Sequence, residues 1–287
     1  MLNFYKIVKD NLSFNRFEYQ DTVCLEYTCP IEAENIGIFS RNDYIVHVLS
    51  GKKTYKTVNN EWVLEPGQTL YLKKGAELIH QFFDDEYCML AFFVSDDLIR
   101  ETYNEMKAQA ALNASSEASD FTGVSIETST FLEGYFHSML HYFRGIDRPP
   151  DQILVLKLKE LLITLMSNSP QLTGYFQNIT TNDKPSLRTI MEQNYCFNLK
   201  LEDYAELSHR SLSSFKREFR EKFNETPGKW LTKRRVDHAA NVILNSDMSM
   251  TQVAFDAGFE DLSHFSKVFK NQFGMSPIQY KKAHVFA

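Results

Sequence analysis

The sequence predicts an α+β protein of two domains, a β-rich N-terminal domain followed by an all-helical C-terminal domain. Its 287 residues correspond to about two domains. Residues 14–94 hold short runs of β-branched and aromatic residues between polar turns, whereas residues 201–284 show the apolar spacing of helices. With 43% hydrophobic and 14% aromatic residues, the chain can bury two separate cores.

Charge is divided unevenly between these two parts. Residues 181–287 contain 16 Lys and Arg against 13 Asp and Glu, a net of +3, and residues 1–180 contain 15 against 24, a net of −9. The net charge of −6 for the whole chain argues against a non-specific polyanion binder. Any affinity for nucleic acid is therefore expected in the C-terminal part.

Signals for export, membrane insertion and disulfide formation are missing from the sequence. The cysteines Cys24, Cys29, Cys88 and Cys196 form no CxxC pair and no metal-ligand spacing. The N-terminal residues lack the apolar core of a signal peptide, and no uncharged run approaches the ~18 residues of a spanning helix. We expect a reduced cytoplasmic protein that has no cofactor and does not contact a membrane.

The β-rich part consists of short strands with turn residues between them. The strand-like runs are YIVHVLSG, KKTYKTV, EWVL, TLYLKKG and YCMLAFFV, and NN and EPG mark turns. Many short strands joined by polar turns favour a barrel or a sandwich.

Two apolar helices are predicted after the strands. The first, STFLEGYFHSMLHYFRGI, has a broad apolar stripe between residues 131 and 143, and Pro149 and Pro150 separate it from DQILVLKLKELLITLMS. Their apolar surface exceeds what one small barrel needs to cover it. The polar residues that follow predict a linker over 171–184, between an N-terminal domain of residues 1–170 and a C-terminal domain of residues 185–287.

The C-terminal part contains an internal repeat displaced by fifty positions. Residues 213–230 read SSFKREFREKFNETPGKW, and residues 263–280 read SHFSKVFKNQFGMSPIQY. In each copy, phenylalanines four residues apart form the apolar stripe of a helix. Two copies are too few for a solenoid, and a purely structural duplication is the alternative to a functional one.

A short helix and a tight turn precede each phenylalanine ladder. In the second copy Ser249 and Gln252 form a capping box, and Gly258 ends the short helix. In the first copy LEDYAEL is the short helix and SHRS is the turn. This arrangement predicts two helix-turn-helix motifs in series. Pro227 suits the first turn of a helix, and the segment KWLTKRRVDHAANVILN that follows continues it, which predicts one long helix between the two motifs.

With these motifs, residues 185–284 resemble the DNA-binding domain of the AraC/XylS family of bacterial transcription regulators. The segment NSDMSMTQVAFDAGFEDLSHFSKVFKNQFGMSPIQY fits the family's signature over the second motif. The resemblance implies two recognition helices that enter successive major-groove segments of double-stranded DNA. The first motif departs from the family pattern at His209 and Arg210, where small and apolar residues are usual.

The resemblance assigns base reading to residues on the faces opposite the phenylalanines. These residues are Ser213, Lys216, Arg217, Ser263, His264, Ser266 and Lys267. Their side chains have donors and acceptors suited to base edges. Side chains better suited to phosphates are Lys200, Arg220, Lys233, Arg234 and Lys270. For some of them a merely solvated charge is the alternative.

Residues 50–75, SGKKTYKTVNNEWVLEPGQTLYLKKG, resemble the cupin-like sensing domain that often precedes this DNA-binding domain. The resemblance implies an activator that works with RNA polymerase, forms a homodimer through the two helices after the barrel, and responds to a small-molecule effector. Packing of those helices against their own barrel is the alternative to dimerisation. LNSDMSM and LKLKELLITLMSNSP also resemble the branch that activates type III secretion genes, whose N-terminal domain answers to a protein partner.

Large aromatic side chains on the strands leave the choice between these signals open. They are Tyr44, Tyr55, Trp62, Tyr71, Phe82, Phe83, Tyr87, Phe92 and Phe93, and about half should point inward. A polar-lined cavity of roughly 300 Å³ would support a small-molecule effector, and a filled interior would support a protein partner. A cupin-type enzyme is a further alternative, but His47 and His80 are isolated in sequence, so we predict no metal site and no enzyme activity.

Overall fold

The computed structural model of the chain describes residues 1–11, 14–28, 33–83, 85–109, 121–145, 148–182 and 184–285. The chain divides into two compact units, Leu2–Pro185 and Ser186–Ala287. The N-terminal unit combines strands and helices, and the C-terminal unit is helical, so the α+β fold class is confirmed. Cys29 lies outside the described residues.

Strands of the N-terminal unit form two facing sheets. They are β1 (Leu2–Asn3), β2 (Asn15–Tyr19), β3 (Thr22–Thr28), β4 (Asn35–Ser40), β5 (Asp43–Ser50), β6 (Lys53–Lys56), β7 (Glu61–Leu64), β8 (Thr69–Leu72), β9 (Gly75–Gln81), β10 (Cys88–Val94) and β11 (Gly123–Ile126). One sheet has the order β1-β4-β9-β6-β7 and the other β11-β8-β5-β10-β3-β2. The expected barrel therefore takes the form of two sheets that are not joined into one closed sheet.

Side chains of the six-stranded sheet alternate between two cores, as the two-residue period of a strand requires. On β10, Met89 and Phe93 lie in the core between the sheets. Leu90 and Phe92, which alternate with them, lie in a second core under the helices. The predicted alternation of the aromatic residues is thereby resolved: Tyr44, Tyr55, Tyr87 and Phe93 lie between the sheets, and Tyr71 and Phe92 face the helices.

Side chains of the described residues pack closely between the two sheets. A cavity of about 20 Å³ remains there, beside the short helix α1 (Phe4–Asp10), and its walls include Tyr27, Lys53, Tyr55 and Met89. Burial raises the pKa of the Glu77 carboxyl to about 8, and the Tyr44 hydroxyl donates a hydrogen bond to it. The hydroxyls of Tyr55 and Tyr87 lie 3.1 Å apart.

Within the described residues the N-terminal unit has four further helices, and their apolar side chains pack against the six-stranded sheet to form the second core. They are α2 (Asp96–Gln109), α3 (Thr130–Arg144), α4 (Asp151–Asn168) and α5 (Pro170–Thr181). Most of the apolar stripe of α3 and α4 is buried against the sheet of its own chain, with Leu158 only 2% exposed. Phe131 and Leu156 are different, being 83% and 61% exposed.

The linker predicted for residues 171–184 is wrong over most of its length, because α5 occupies residues 170–181. Ser169 caps this helix, and Leu172, Phe176 and Ile179 are buried in the helical core. The Tyr175 hydroxyl donates to Asp43 at 3.2 Å. Polar composition suggested a linker, but the three buried residues have the i, i+4, i+7 spacing of a helix that packs on one face.

All elements described between residues 186 and 285, in the C-terminal unit, are helices. They are α6 (Leu187–Asn194), α7 (Leu201–Leu207), α8 (Leu212–Phe223), α9 (Pro227–Asn245), α10 (Met250–Asp256), α11 (Leu262–Phe273) and α12 (Pro277–Val285). The long helix α9 contacts α8, α10, α11 and α12. Val236, Ala239, Ala240 and Ile243 form its buried side. Within the described part of the whole chain, no helix is long and apolar enough to cross a membrane.

Candidate nucleic-acid interface

The first helix-turn-helix motif consists of α7, a turn at residues 208–211, and α8. Ser211 is the N-cap residue of α8, and its hydroxyl accepts a hydrogen bond from the backbone N–H of Ser214. Phe215 and Phe219 are fully buried. Asn224 ends the helix in the left-handed region, at φ 55°, and its N–H donates to the carbonyl of Arg220 at 2.9 Å.

The second motif consists of α10, a turn at residues 257–261, and α11. Asp261 is the N-cap residue of α11, and its carboxylate accepts hydrogen bonds from the backbone N–H groups of Ser263 and His264. These two hydrogen bonds hold the pKa of Asp261 below its ordinary value. Gly274 ends the helix at φ 76°, and its N–H donates to the carbonyl of Lys270 at 2.8 Å.

Residues fifty positions apart in the two motifs have equivalent packing contacts. Phe265 and Phe269 are fully buried, like Phe215 and Phe219. Trp230 packs edge-on against the ring of Phe219 at 6.1 Å, and Tyr280 packs edge-on against Phe269 at 5.4 Å. The predicted correspondence of Trp230 with Tyr280 therefore extends to the ring each one contacts.

The residues predicted to read bases lie together on the outer faces of α8 and α11. Ser213, Lys216 and Arg217 are exposed on α8; Ser263, His264 and Lys267 are exposed on α11, and Ser266 is half-buried. Spacings of three and four residues bring each set onto one face of its helix. Arg217 Nε lies 4.0 Å from Glu221 Oε1, and both side chains are about two-thirds exposed. An ion pair this exposed contributes little to the stability of the fold.

The residues predicted to contact phosphates divide into two groups. Lys200, Arg220, Lys233 and Lys270 are exposed. Arg234 differs, because its Nε lies 2.8 Å from a carboxylate oxygen of Glu192 and its guanidinium lies over the ring of Tyr195 at 4.6 Å. Through these contacts Arg234 helps to hold α9 against α6.

The turn of the first motif contains interactions that the sequence did not predict. His209 has φ 53°, in the left-handed region that favours glycine. The side chain of Arg210 folds back, and its Nε lies 2.8 Å from Glu218 on α8. Reading the sequence for caps would have found Asp261, which precedes α11 at the N-cap position. The ion pair of Arg210 leaves no comparable local signal.

Two protein families match these two units. The family described as "Helix-turn-helix domain" matches residues 204–283, which contain both motifs. The family described as "ExsA N-terminal regulatory domain" matches residues 43–175. The chain belongs to the AraC/XylS family of transcription regulators. As an AraC/XylS regulator it binds DNA sequence-specifically through its helix-turn-helix motifs.

Individual proteins are similar to this AraC/XylS regulator over different lengths. The HTH-type transcriptional regulator ExsA of Pseudomonas aeruginosa is 25% identical, over 85% of this chain and 87% of ExsA. The virulence regulon transcriptional activator VirF of Yersinia enterocolitica is 29% identical over 45% of this chain and 49% of VirF. A DNA-binding transcriptional dual regulator of Escherichia coli K-12 is 27% identical and has a TM-score of 0.33, over 36% of this chain and 96% of that structure.

Proposed function

We propose that this protein activates transcription by inserting α8 and α11 into two successive major-groove segments of one duplex. The observation that carries the proposal is the duplicated outer face, which has polar and basic side chains at equivalent positions of two helices with equivalent buried ladders. Lys216 and Arg217 suit guanine O6 and N7, and Ser263, His264, Ser266 and Lys267 supply the second set of donors and acceptors.

Phosphate contacts would hold this register on the duplex. Lys200, Arg220, Lys233 and Lys270 are exposed cations of the C-terminal unit, and such side chains position a protein without reading sequence. We assign Arg234 a weaker part, since Glu192 already neutralises it.

The experiment begins with selection of bound sites from a random duplex pool by the full chain. Hydroxyl-radical footprints of the selected sites should protect two segments about 34 Å apart. Lys216→Ala with Arg217→Ala should abolish protection of one segment and leave the other. Lys222→Ala is the matched control, because Lys222 lies about half a turn from Ser213 around α8. A wild-type footprint with a single protected segment would contradict the proposal that α8 and α11 contact two successive segments.

Activation rather than repression is supported by similarity to VirF, which is named a transcriptional activator. An activator of this kind works with RNA polymerase, and a protein that binds the bacterial chromosome acts in the cytoplasm. We propose no catalytic activity for this chain, since DNA binding accounts for the residues of its candidate site.

We propose further that the N-terminal unit responds to a protein partner. The cavity that the described residues enclose between the sheets, about 20 Å³, is far below the roughly 300 Å³ that a small-molecule site needs. The polar groups nearby are also satisfied within the core, since Tyr44 donates to Glu77 and Tyr55 pairs with Tyr87. A signal is then received on the outer surface.

Removing those interior polar groups tests this part of the proposal. Tyr55→Phe with Glu77→Gln keeps the shape of the core and removes groups that would recognise a polar effector. A reporter in the native host should keep its response to growth conditions. Loss of the response, in a variant whose circular dichroism and DNA binding are unchanged, would favour a small molecule in the interior.

A homodimer through α3 and α4 is the remaining part of the proposal. Leu156 and Ile163, two turns apart on α4, are 61% and 39% exposed. Leu156→Glu with Ile163→Glu should give folded monomers in sedimentation experiments. Leu158→Glu is the control: because Leu158 is 2% exposed, this change should unfold the N-terminal unit instead. A double variant that still sediments as a dimer would exclude this face of α4.

A further inference from the structure

The stretch between α6 and α7 is fixed to the middle of α9. Arg235, on α9, donates from Nε to the carbonyl of Tyr195 at 2.6 Å and from Nη2 to the carbonyl of Phe197 at 2.8 Å. His238 lies three residues further along α9, and its Nδ1 is 3.1 Å from the Tyr195 hydroxyl. We call residues 195–199 the bridge segment.

The bridge segment packs with the first motif. Phe197 and Leu199 are buried, as is Tyr204 on α7. The Tyr204 hydroxyl donates to the carbonyl of Asn194, directly before the bridge segment, at 2.8 Å. Since α7 in turn contacts α8, the first recognition helix is linked to the bridge segment through α7.

The same segment contacts the turn of the second motif. Gly258 has φ 86°, and a Cβ atom there would lie 2.5 Å from the carbonyl oxygen of Cys196. The Asn198 amide donates to the carboxylate of Glu260. The backbone of the second turn is thus seated directly on the bridge segment, at a distance that only glycine allows.

One imidazole joins the two contacts. His238 Nδ1 faces Tyr195, and His238 Nε2 lies 3.0 Å from Asp256 Oδ2, on α10. About a quarter of the His238 and Asp256 side chains is exposed. A chain of hydrogen bonds therefore runs from the bridge segment, across α9, to the first helix of the second motif.

We propose that the bridge segment and His238 fix the angle between α8 and α11, so that the spacing of the two major-groove segments becomes a determinant of site choice. This inference rests on the proposed function, because it requires both helices on one duplex. One inserted base pair moves a groove segment by about 3.4 Å and turns it by about 34°. A hinged pair of motifs could follow that change, and a fixed pair loses base contacts. His238 is a positioning residue, since it acts through Tyr195 and Asp256.

The test measures affinities of the full chain for its selected site and for the same site with one base pair inserted between the two segments. The wild type should bind the lengthened site roughly 10- to 100-fold more weakly, the loss expected for one or two base contacts. His238→Ala should reduce this ratio to about threefold or less, while the base preference within each segment is kept. Asn241→Ala, at an exposed position of α9, should keep the wild-type ratio.

Asp256→Ala and Asn198→Ala provide further variants if His238→Ala does not fold. The first removes the carboxylate that contacts His238, and the second removes the amide that donates to Glu260. Each should lower the spacing ratio. A folded His238→Ala protein with the wild-type ratio, or one that loses affinity equally at both spacings, would overturn the inference and leave the proposed function standing. A wild-type footprint confined to one groove segment would overturn both.

Discussion

The two helix-turn-helix motifs are alike after the turn and different within it. Beyond the turn, equivalent hydrogen bonds lie fifty residues apart in the sequence. The N–H of Phe215 donates to the carbonyl of Ser211, and the N–H of Phe265 donates to the carbonyl of Asp261. As far as Arg210 and Phe259, which lie within the turns, the displacement is forty-nine. The N–H of Arg210 donates to the carbonyl of Ala205, and the N–H of Phe259 donates to the carbonyl of Ala254. The second turn is therefore one residue longer, and the repeat tolerates that change only at the turn.

The residues that fill the two turns differ in chemistry. Phe259 is buried and lies 5.3 Å from the ring of Phe265. Its counterpart Arg210 makes an ion pair with Glu218 instead. The left-handed position is Gly258 in the second turn and His209 in the first. Apolar packing closes one turn and charge pairing closes the other, so the same scaffold position accepts both solutions.

The largest difference should appear when the left-handed residues are exchanged. Gly258→Ala should destabilise the C-terminal unit by more than about 1–2 kcal/mol, the cost of a left-handed backbone, because the new methyl group also meets Cys196 at 2.5 Å. His209→Gly should change stability by less than about 1 kcal/mol. Urea unfolding in a Trp62→Phe background, followed by Trp230 fluorescence, measures both. Equal effects of the two substitutions would contradict the difference between the turns.

Base reading should instead be alike in the two motifs. Arg217 and Lys267 occupy equivalent positions and are both exposed. Each change to Ala should lower discrimination by about 1–3 kcal/mol at one base pair, in the segment that its own helix contacts. Competition with single-base variants of the selected site measures this. If both variants relax the same segment, the assignment of one helix to each segment is wrong.

Phosphate contacts at equivalent positions should have equal salt dependence. Arg220→Ala and Lys270→Ala should each make the slope of log affinity against log salt shallower by about 0.9, the value for one released counterion. The loss should be the same on specific and random DNA. Arg234→Ala should change this slope less, because Glu192 neutralises Arg234 before DNA binds. Titrations at several salt concentrations decide between these outcomes.

The smallest difference should appear in how stability depends on pH at the N-cap residues of the two recognition helices, Ser211 and Asp261. The pKa of Asp261 is held below its ordinary value of 3.8 by the Ser263 and His264 N–H groups. Its contribution to stability is therefore present above that value and lost as pH falls through the folded-state pKa. The Ser211 hydroxyl does not titrate. Asp261→Ser should weaken the loss of stability of the C-terminal unit below about pH 4, and Ser211→Ala should leave that pH dependence unchanged.

Local periodicity made the C-terminal unit predictable. Phe215, Phe219 and their repeats have helical spacing, and the caps lie next to them in sequence, so the pattern indicated the motifs and the exposed faces. The N-terminal strands were found where a run of β-branched and aromatic residues lies between turn residues, as in YCMLAFFV, which contains β10. Helix α5 was missed because its composition is polar and only one side is buried.

Contacts between distant residues could not be predicted. Tyr195 and His238 are separated by 43 positions, and His238 and Asp256 by 18, so no local pattern connects them. The apolar stripe of α4 likewise gave no sign that Leu158 is buried and Leu156 exposed. Such facts follow only from which side of an element meets its neighbours.

The length of α9 has a consequence for how descendants of this protein change. Its 19 residues span about 28 Å, and one inserted residue would turn everything after it by about 100°. That rotation would separate Arg235 and His238 from either the bridge segment or Asp256. Substitutions on the exposed faces of α8 and α11 leave the buried ladders untouched. New operators should thus arise by point substitution, one base pair at a time, while insertions and deletions in α9 are eliminated.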